Sequence, residues 1–103
     1  MIFIETTIFT KLIEKYLTDD EYSGLQGLLL EHPETGKVIP GSGGVRKIRW
    51  AKQGRGKRGG IRVIYYLKKH DNETWMLTVY GKSEKSNIPT HILKKIAEEI
   101  KND

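Results

Sequence analysis

Cysteine is absent from all 103 residues, so no disulfide framework braces the fold and no thiolate is on offer as nucleophile or metal ligand. That lack fits a reducing compartment, and the cytoplasm is the expected location. Long apolar runs are missing too. Nothing approaches the roughly eighteen residues of a membrane span, and the opening MIFIETTIFTKLIEKY lacks the basic region of a secretory signal, so no membrane partner is expected. The three histidines, His32, His70 and His91, fall far apart in sequence on different elements. With no cysteine to help them, no metal site and no cofactor are expected. Neither a nucleophile elbow nor a GxxxxGK[ST] loop occurs. The length suits one domain, residues 1–103, able to bury roughly two thirds of its unfolded surface without staples.

The most telling absence is local. Residues 37–70 contain eleven lysines and arginines and not one carboxylate, whereas residues 1–36 carry seven acids against two bases. The overall charge of +5 therefore hides a segregated pattern. Mixed charge runs usually mark a solvated face, but eleven like charges with no acid among them repel one another and suit a polyanion. Trp50, Tyr65 and Tyr66 lie among them, and Trp50 or Tyr66 offers a surface on which a base can stack. The acidic amino-terminal third is repelled by RNA and stays free for a protein partner.

The elements follow from periodicity and punctuation. IFIE at 2–5 reads as a short buried strand. Thr6 or Thr7 caps a helix with Ile8, Phe9, Leu12, Ile13, Tyr16 and Leu17 at helical spacing. Thr18 opens a second helix through a Thr-x-x-Glu capping box with Glu21, and Pro33 ends it. The segment 34–44, ETGKVIPGSGG, predicts a flexible connector. In 45-VRKIRWA-51, Ile48 and Trp50 share one face while Lys47 and Arg49 share the other, about 7 Å apart. Residues 52–60, KQGRGKRGG, offer nothing to bury and read as a mobile basic hairpin tip. In 61-IRVIYYLKK-69, Ile61, Val63, Tyr65 and Leu67 face one way and Arg62, Ile64 and Tyr66 the other. Arg62 is out of place in an apolar strand and calls for an anion, acidic partner or ligand. A returning strand at 75-WMLTVYG-81 and a helix after Pro89 complete an α+β fold of order β-α-α-β-β-β-α, with an antiparallel sheet packed by helices.

Cationic side chains on a sheet suit one reaction well, RNA transesterification, because the substrate's 2′-hydroxyl is the nucleophile and the charge that develops on phosphorus is what fixed cations stabilise. Crowded positive groups also lower the pKa of a lysine among them, which makes Lys47 or Lys82 a candidate for acid–base steps.

The run 46-RKIRWA-51, a basic loop, 60-GIRVIYYL-67 and 77-LTVYGKSEKS-86 before an apolar helix resembles the RelE/HigB superfamily of type II toxins, nearest its HigB-2-like branch with its GxRKIR and YGK-x-E-x-S patterns. The likeness covers nearly the whole chain. It implies a RelE-like, microbial RNase-like fold and an endoribonuclease that enters the ribosomal A site, cleaves mRNA and halts translation. It also implies a cognate, HigA-like, DNA-binding antitoxin. By the resemblance, Lys47 and Arg49 match the cations of the family's first core strand, and Arg62 matches the arginine on the scissile phosphate. The best-known members carry an arginine and a tyrosine general base where this chain has Ser83 and Pro89. Lys82 and Lys85 then stand in for the arginine's charge, and Tyr80 or Lys47 for proton transfer. Arg46, Arg49, Lys52, Arg55, Lys57, Arg58 and Lys85 are the expected RNA-binding cations. A non-catalytic RNA- or DNA-binding module would use the same side chains, as would a toxin-derived domain retained only as an antitoxin-regulated DNA-binding partner.

Overall fold

A computed structural model of the chain describes residues 1–50 and 60–103. Its elements are β1 (Ile2–Glu5), α1 (Thr7–Tyr16), α2 (Asp19–Glu31), β2 (Lys37–Val38), β3 (Arg46–Trp50), β4 (Ile61–Lys68), a 3-10 turn (Lys69–Asp71), β5 (Glu73–Gly81) and α3 (Thr90–Asn102). The strands form one sheet in the order β1-β5-β4-β3-β2. The α+β class is as expected, with two corrections to the sheet. A short extra strand, β2, lies inside the predicted connector and pairs with Arg46 and Lys47 of β3. The sheet is mixed rather than antiparallel, because β1 runs parallel to β5.

The physical reason for the parallel edge lies in the connections. Strands β3, β4 and β5 pair antiparallel in succession, but two helices separate β1 from the other strands, so no turn dictates its direction. Tertiary bonds do. Ile2 N–H donates to the Asn72 carbonyl (3.0 Å) and Thr6 N–H to that of Met76 (3.1 Å).

Helices α1 and α2 cover one face of the sheet, where Phe9, Ile13, Leu25 and Leu29 bury against Ile48, Val63 and Tyr65. Helix α3 covers part of the other face, with Leu93, Ala97 and Ile100 against Val45, Ile64 and Leu77. The central strand β4 is thus apolar on both sides, and its alternation is the one read from sequence. Both amino-terminal caps form. The Thr6 hydroxyl accepts from Phe9 N–H (3.1 Å), and Thr18 and Glu21 complete the reciprocal capping box.

The predicted flexible connector is closed by specific bonds. Ile39 N–H reaches the Val45 carbonyl (2.8 Å), and the buried Ser42 hydroxyl donates to the Ile39 carbonyl (2.6 Å) while accepting from Val45 N–H (3.0 Å). Upstream, buried Tyr65 accepts from Gly36 N–H (2.8 Å) and donates to the Pro33 carbonyl (2.9 Å). A Cβ at position 36 would fall 2.7 Å from that phenol oxygen, which is why glycine is needed there.

The ladder between β4 and β5 has one irregularity. Ile64 pairs with Thr78 and Tyr65 with Met76, so Leu77 is an extra residue, a β-bulge in β5. The Leu77 carbonyl accepts from the Thr6 hydroxyl (2.8 Å), which ties the bulge to the start of α1. Because Thr6→Ala removes both the helix cap and this bond, it should lower the unfolding free energy by about 1–2 kcal/mol in urea denaturation.

Candidate nucleic-acid interface

The cross-strand register builds a row of polar side chains on the face that α3 only partly covers. Arg49 of β3 lies directly opposite Arg62 of β4, and Arg62 directly opposite Tyr80 of β5. Lys47, opposite Ile64, is diagonal to Arg62. Directly opposed residues have Cβ atoms about 5 Å apart and diagonal neighbours about 7–8 Å, so a single phosphate on Arg62 is within reach of all three neighbours. Like charges opposed across strands are destabilising. The juxtaposition of Arg49 and Arg62 therefore costs the empty protein stability and favours a bound anion.

Exposure grades along the row. Lys47 and Arg49 are exposed, while Arg62 and Tyr80 are half-buried where the row meets the core beneath α3. Among the described residues the Arg62 guanidinium makes one long contact, Nη1 to the Ile61 carbonyl at 3.5 Å. Among the described residues no carboxylate pairs with Lys47, Arg49, Arg62, Lys82 or Lys85; the ion pairs there are Lys68–Asp71 and Lys69–Glu34. Of the two partners that Arg62's setting called for, the acidic one is missing from the described residues.

Tyr80 is perturbed in an informative direction. Burial pushes its phenol above the ordinary tyrosine range, and the adjacent Arg62 cation pulls the other way without winning. The phenol therefore keeps its proton at neutral pH. Gly81 and Lys82 continue the ladder past Tyr80, with Lys82 N–H on the Gly60 carbonyl (3.2 Å). Lys85 lies beyond, exposed in the turn leading to α3.

Not every basic residue singled out by sequence joins this row. Arg46 projects to the α1/α2 side, where its Nη1 donates to the carbonyls of Glu34 (3.1 Å) and Gly36 (2.8 Å), holding the turn after α2. Lys68 and Lys69 are engaged in their ion pairs, so the run of cations has internal partners that its linear pattern did not reveal. Lys52, Arg55, Lys57 and Arg58 lie outside the described residues. Sequence reasoning also passed over Glu84, whose carboxylate accepts from Tyr16 and Gly81, although it lies within the run 77-LTVYGKSEKS-86 that carries the resemblance.

Among the described residues, cavities of about 330, 460 and 450 Å³ lie near helix ends and take no side chain from the row. His32, His70 and His91 are exposed, and among the described residues no three His, Cys, Asp or Glu side chains gather as a metal site. No helix among them is long and apolar enough to cross a membrane.

A small α+β domain with a two-faced sheet and a cationic row at its open end is the class these features define. Within that class, the sequence model of the RelE toxin of the RelE/RelB toxin–antitoxin system matches residues 31–102, the span from the end of α2 through α3. The chain belongs to the RelE toxin family. It is a toxin of a toxin–antitoxin system, and an antitoxin is the partner that the family implies.

Two measurements test the electrostatics of the row. Arg49→Gln should raise Tm by about 1–5 °C at low ionic strength, with the gain shrinking as salt screens the Arg49–Arg62 repulsion. Because a cation favours phenolate, Arg62→Ala should move the Tyr80 transition still higher in an ultraviolet titration, with Arg62→Ala/Tyr80→Phe as the reference that isolates it.

Proposed function

We propose that this toxin is a ribosome-dependent mRNA endoribonuclease. The observation that carries the reading is the Arg49–Arg62–Tyr80 row, two opposed guanidiniums beside a protonated phenol with no carboxylate paired to them among the described residues. Arg62 binds the scissile phosphate, and Arg49 adds to the field on its non-bridging oxygens, where charge grows as the 2′-hydroxyl attacks. The bond from phosphorus to the 5′-oxygen breaks as that from the 2′-oxygen forms, leaving a 2′,3′-cyclic phosphate and a 5′-hydroxyl.

In-line attack needs proton acceptor and donor on opposite sides of the phosphorus. Lys47 and Tyr80 flank Arg62 from β3 and β5 respectively. The Tyr80 phenol protonates the departing 5′-oxygen, in keeping with its raised pKa, and the Lys47 amine takes the 2′-hydroxyl proton. Lys82 and Lys85 supply charge where other family members use an arginine. Lys52, Arg55, Lys57 and Arg58, with Arg49, attract the RNA backbone. Arg46 has no part in this assignment, being held to the turn after α2. The ribosome presents the message, the cytoplasm is the site of action, and a HigA-like, DNA-binding antitoxin is the silencing partner. The GxRKIR and YGK-x-E-x-S patterns support the HigB-2-like branch.

Arg62→Ala should slow cleavage about 10²–10³-fold and abolish growth arrest while leaving ribosome binding largely intact. Mapping mRNA ends after induction without any partner, with and without translation, checks this. Equal loss of binding and arrest would instead favour a non-catalytic RNA-binding module.

A further inference from the structure

The turn after β5 is held by a carboxylate that the reaction does not use. Glu84 Oε1 accepts from the Tyr16 hydroxyl at the end of α1 (2.8 Å) and from Gly81 N–H (2.8 Å), and Glu84 N–H returns to the Gly81 carbonyl (3.0 Å). The antiparallel ladder explains why Gly81 needs such a partner. Lys82 N–H bonds back to Gly60, so the alternation of bonded and non-bonded pairs turns Gly81 N–H away from β4. Glu84 supplies the acceptor that the ladder leaves open, with the Tyr16 hydroxyl beside it.

Space and charge agree with this arrangement. A Cβ at position 81 would lie 2.5 Å from Glu84 Oε1 and 3.6 Å from Tyr16 Cε1, so only glycine leaves room for the carboxylate to close on the backbone. The bonds from Tyr16 and Gly81 hold the Glu84 carboxyl below its ordinary range, and it stays ionised at neutral pH. Functionally the charge is of the wrong sign. An anion in the same turn as Lys82 and Lys85 weakens attraction for RNA, so its service must lie in geometry.

We infer that Glu84 and Tyr16 are positioning residues, which together clamp the Gly81–Glu84 turn and so fix Lys82 beside the Arg62–Tyr80 row. Lys82 is two residues beyond Tyr80, about 7 Å along the strand. A turn free to open swings its amine away from the phosphate. The inference rests on the nuclease reading and assigns the YGK-x-E-x-S glutamate a part that the chemistry left vacant.

Charge and position make opposite predictions, which the variants separate. With programmed ribosomes and the purified full chain, Glu84→Ala should lower kcat roughly ten- to a hundredfold with KM unchanged or lower, because a repelling charge has gone while the turn is loosened. Glu84→Gln keeps an acceptor oxygen for both donors and should restore kcat to within about threefold of wild type. Gly81→Ala displaces the carboxylate by another route and should reproduce Glu84→Ala. If Glu84 acts through Lys82, Lys82→Ala/Glu84→Ala should cut no more slowly than Lys82→Ala. Wild-type kcat in Glu84→Ala, failure of Glu84→Gln as severe as that of the alanine, or full additivity in the double variant would overturn the clamp while leaving the nuclease intact. A wild-type chain that cuts no message would overturn the nuclease reading and the clamp's catalytic role together.

Discussion

Where β4 passes from Ile64 to Tyr65, the strand facing it carries one residue more than the ladder uses, and most of what is distinctive about this protein depends on that bulge. Side chains alternate with a period of two, so one unpaired residue reverses the facing of everything beyond it. Continuing the Tyr65–Met76 register without the bulge would set Tyr80 opposite Ile61, facing the α1/α2 core. With it, Tyr80 lies opposite Arg62 on the open face. The bulge also lets Leu77 and Thr78 both serve the α3 side, one in the apolar core and the other through its hydroxyl to Asn87 (2.8 Å). Its carbonyl is held by Thr6, the residue where β1 ends and α1 begins, so the first turn of the first helix steadies the register of the last hairpin.

The sheet therefore divides its labour by face and by end. One face, under α1 and α2, is buried and supplies much of the core. The other is split between the α3 contacts around Ile64 and Leu77 and the cations at the far end of β3 and β4, exposed on β3 and half-buried on β4. A row of like charges is tolerable because it is anchored in a strand buried on both sides. Arg49 and Arg62 repel each other at a position where the surrounding core holds the backbone fixed. Electrostatic preorganisation has this character in general: the unfavourable field is built during folding, so that no reorganisation is needed when the phosphate arrives.

Much of the fold was legible in the sequence because its signals are local. The Thr18–Glu21 capping box, the Thr6 cap, the helical stripe of α1 and the alternation of Lys47/Arg49 against Ile48/Trp50 each depend on residues within a few positions of one another. The placement of Arg62 on the face opposite Tyr65 followed for the same reason. Composition makes the connector look loose because what closes it comes partly from outside its own span, from the Tyr65 hydroxyl and the Arg46 guanidinium, together with the buried Ser42 hydroxyl and β2, a strand too short to show a period. Charge alone groups Arg46 with the RNA-binding cations, whereas its carbonyl acceptors lie ten and twelve residues earlier, at Gly36 and Glu34.

By itself the sequence determined the helices, the hairpin strands, the two faces of β3 and β4, and the concentration of cations without carboxylates, all consequences of periodicity and composition along the chain. Tertiary structure alone decided that β1 runs parallel to β5, that Lys69 finds Glu34, that Tyr80 rather than Val79 meets Arg62, and that Glu84 reaches Tyr16 across 68 positions. Most of these bring together groups distant in sequence, and the Tyr80 register turns on where a strand takes up one extra residue. Neither leaves a repeat or a composition bias behind, and both are settled only when the two faces of the sheet are packed.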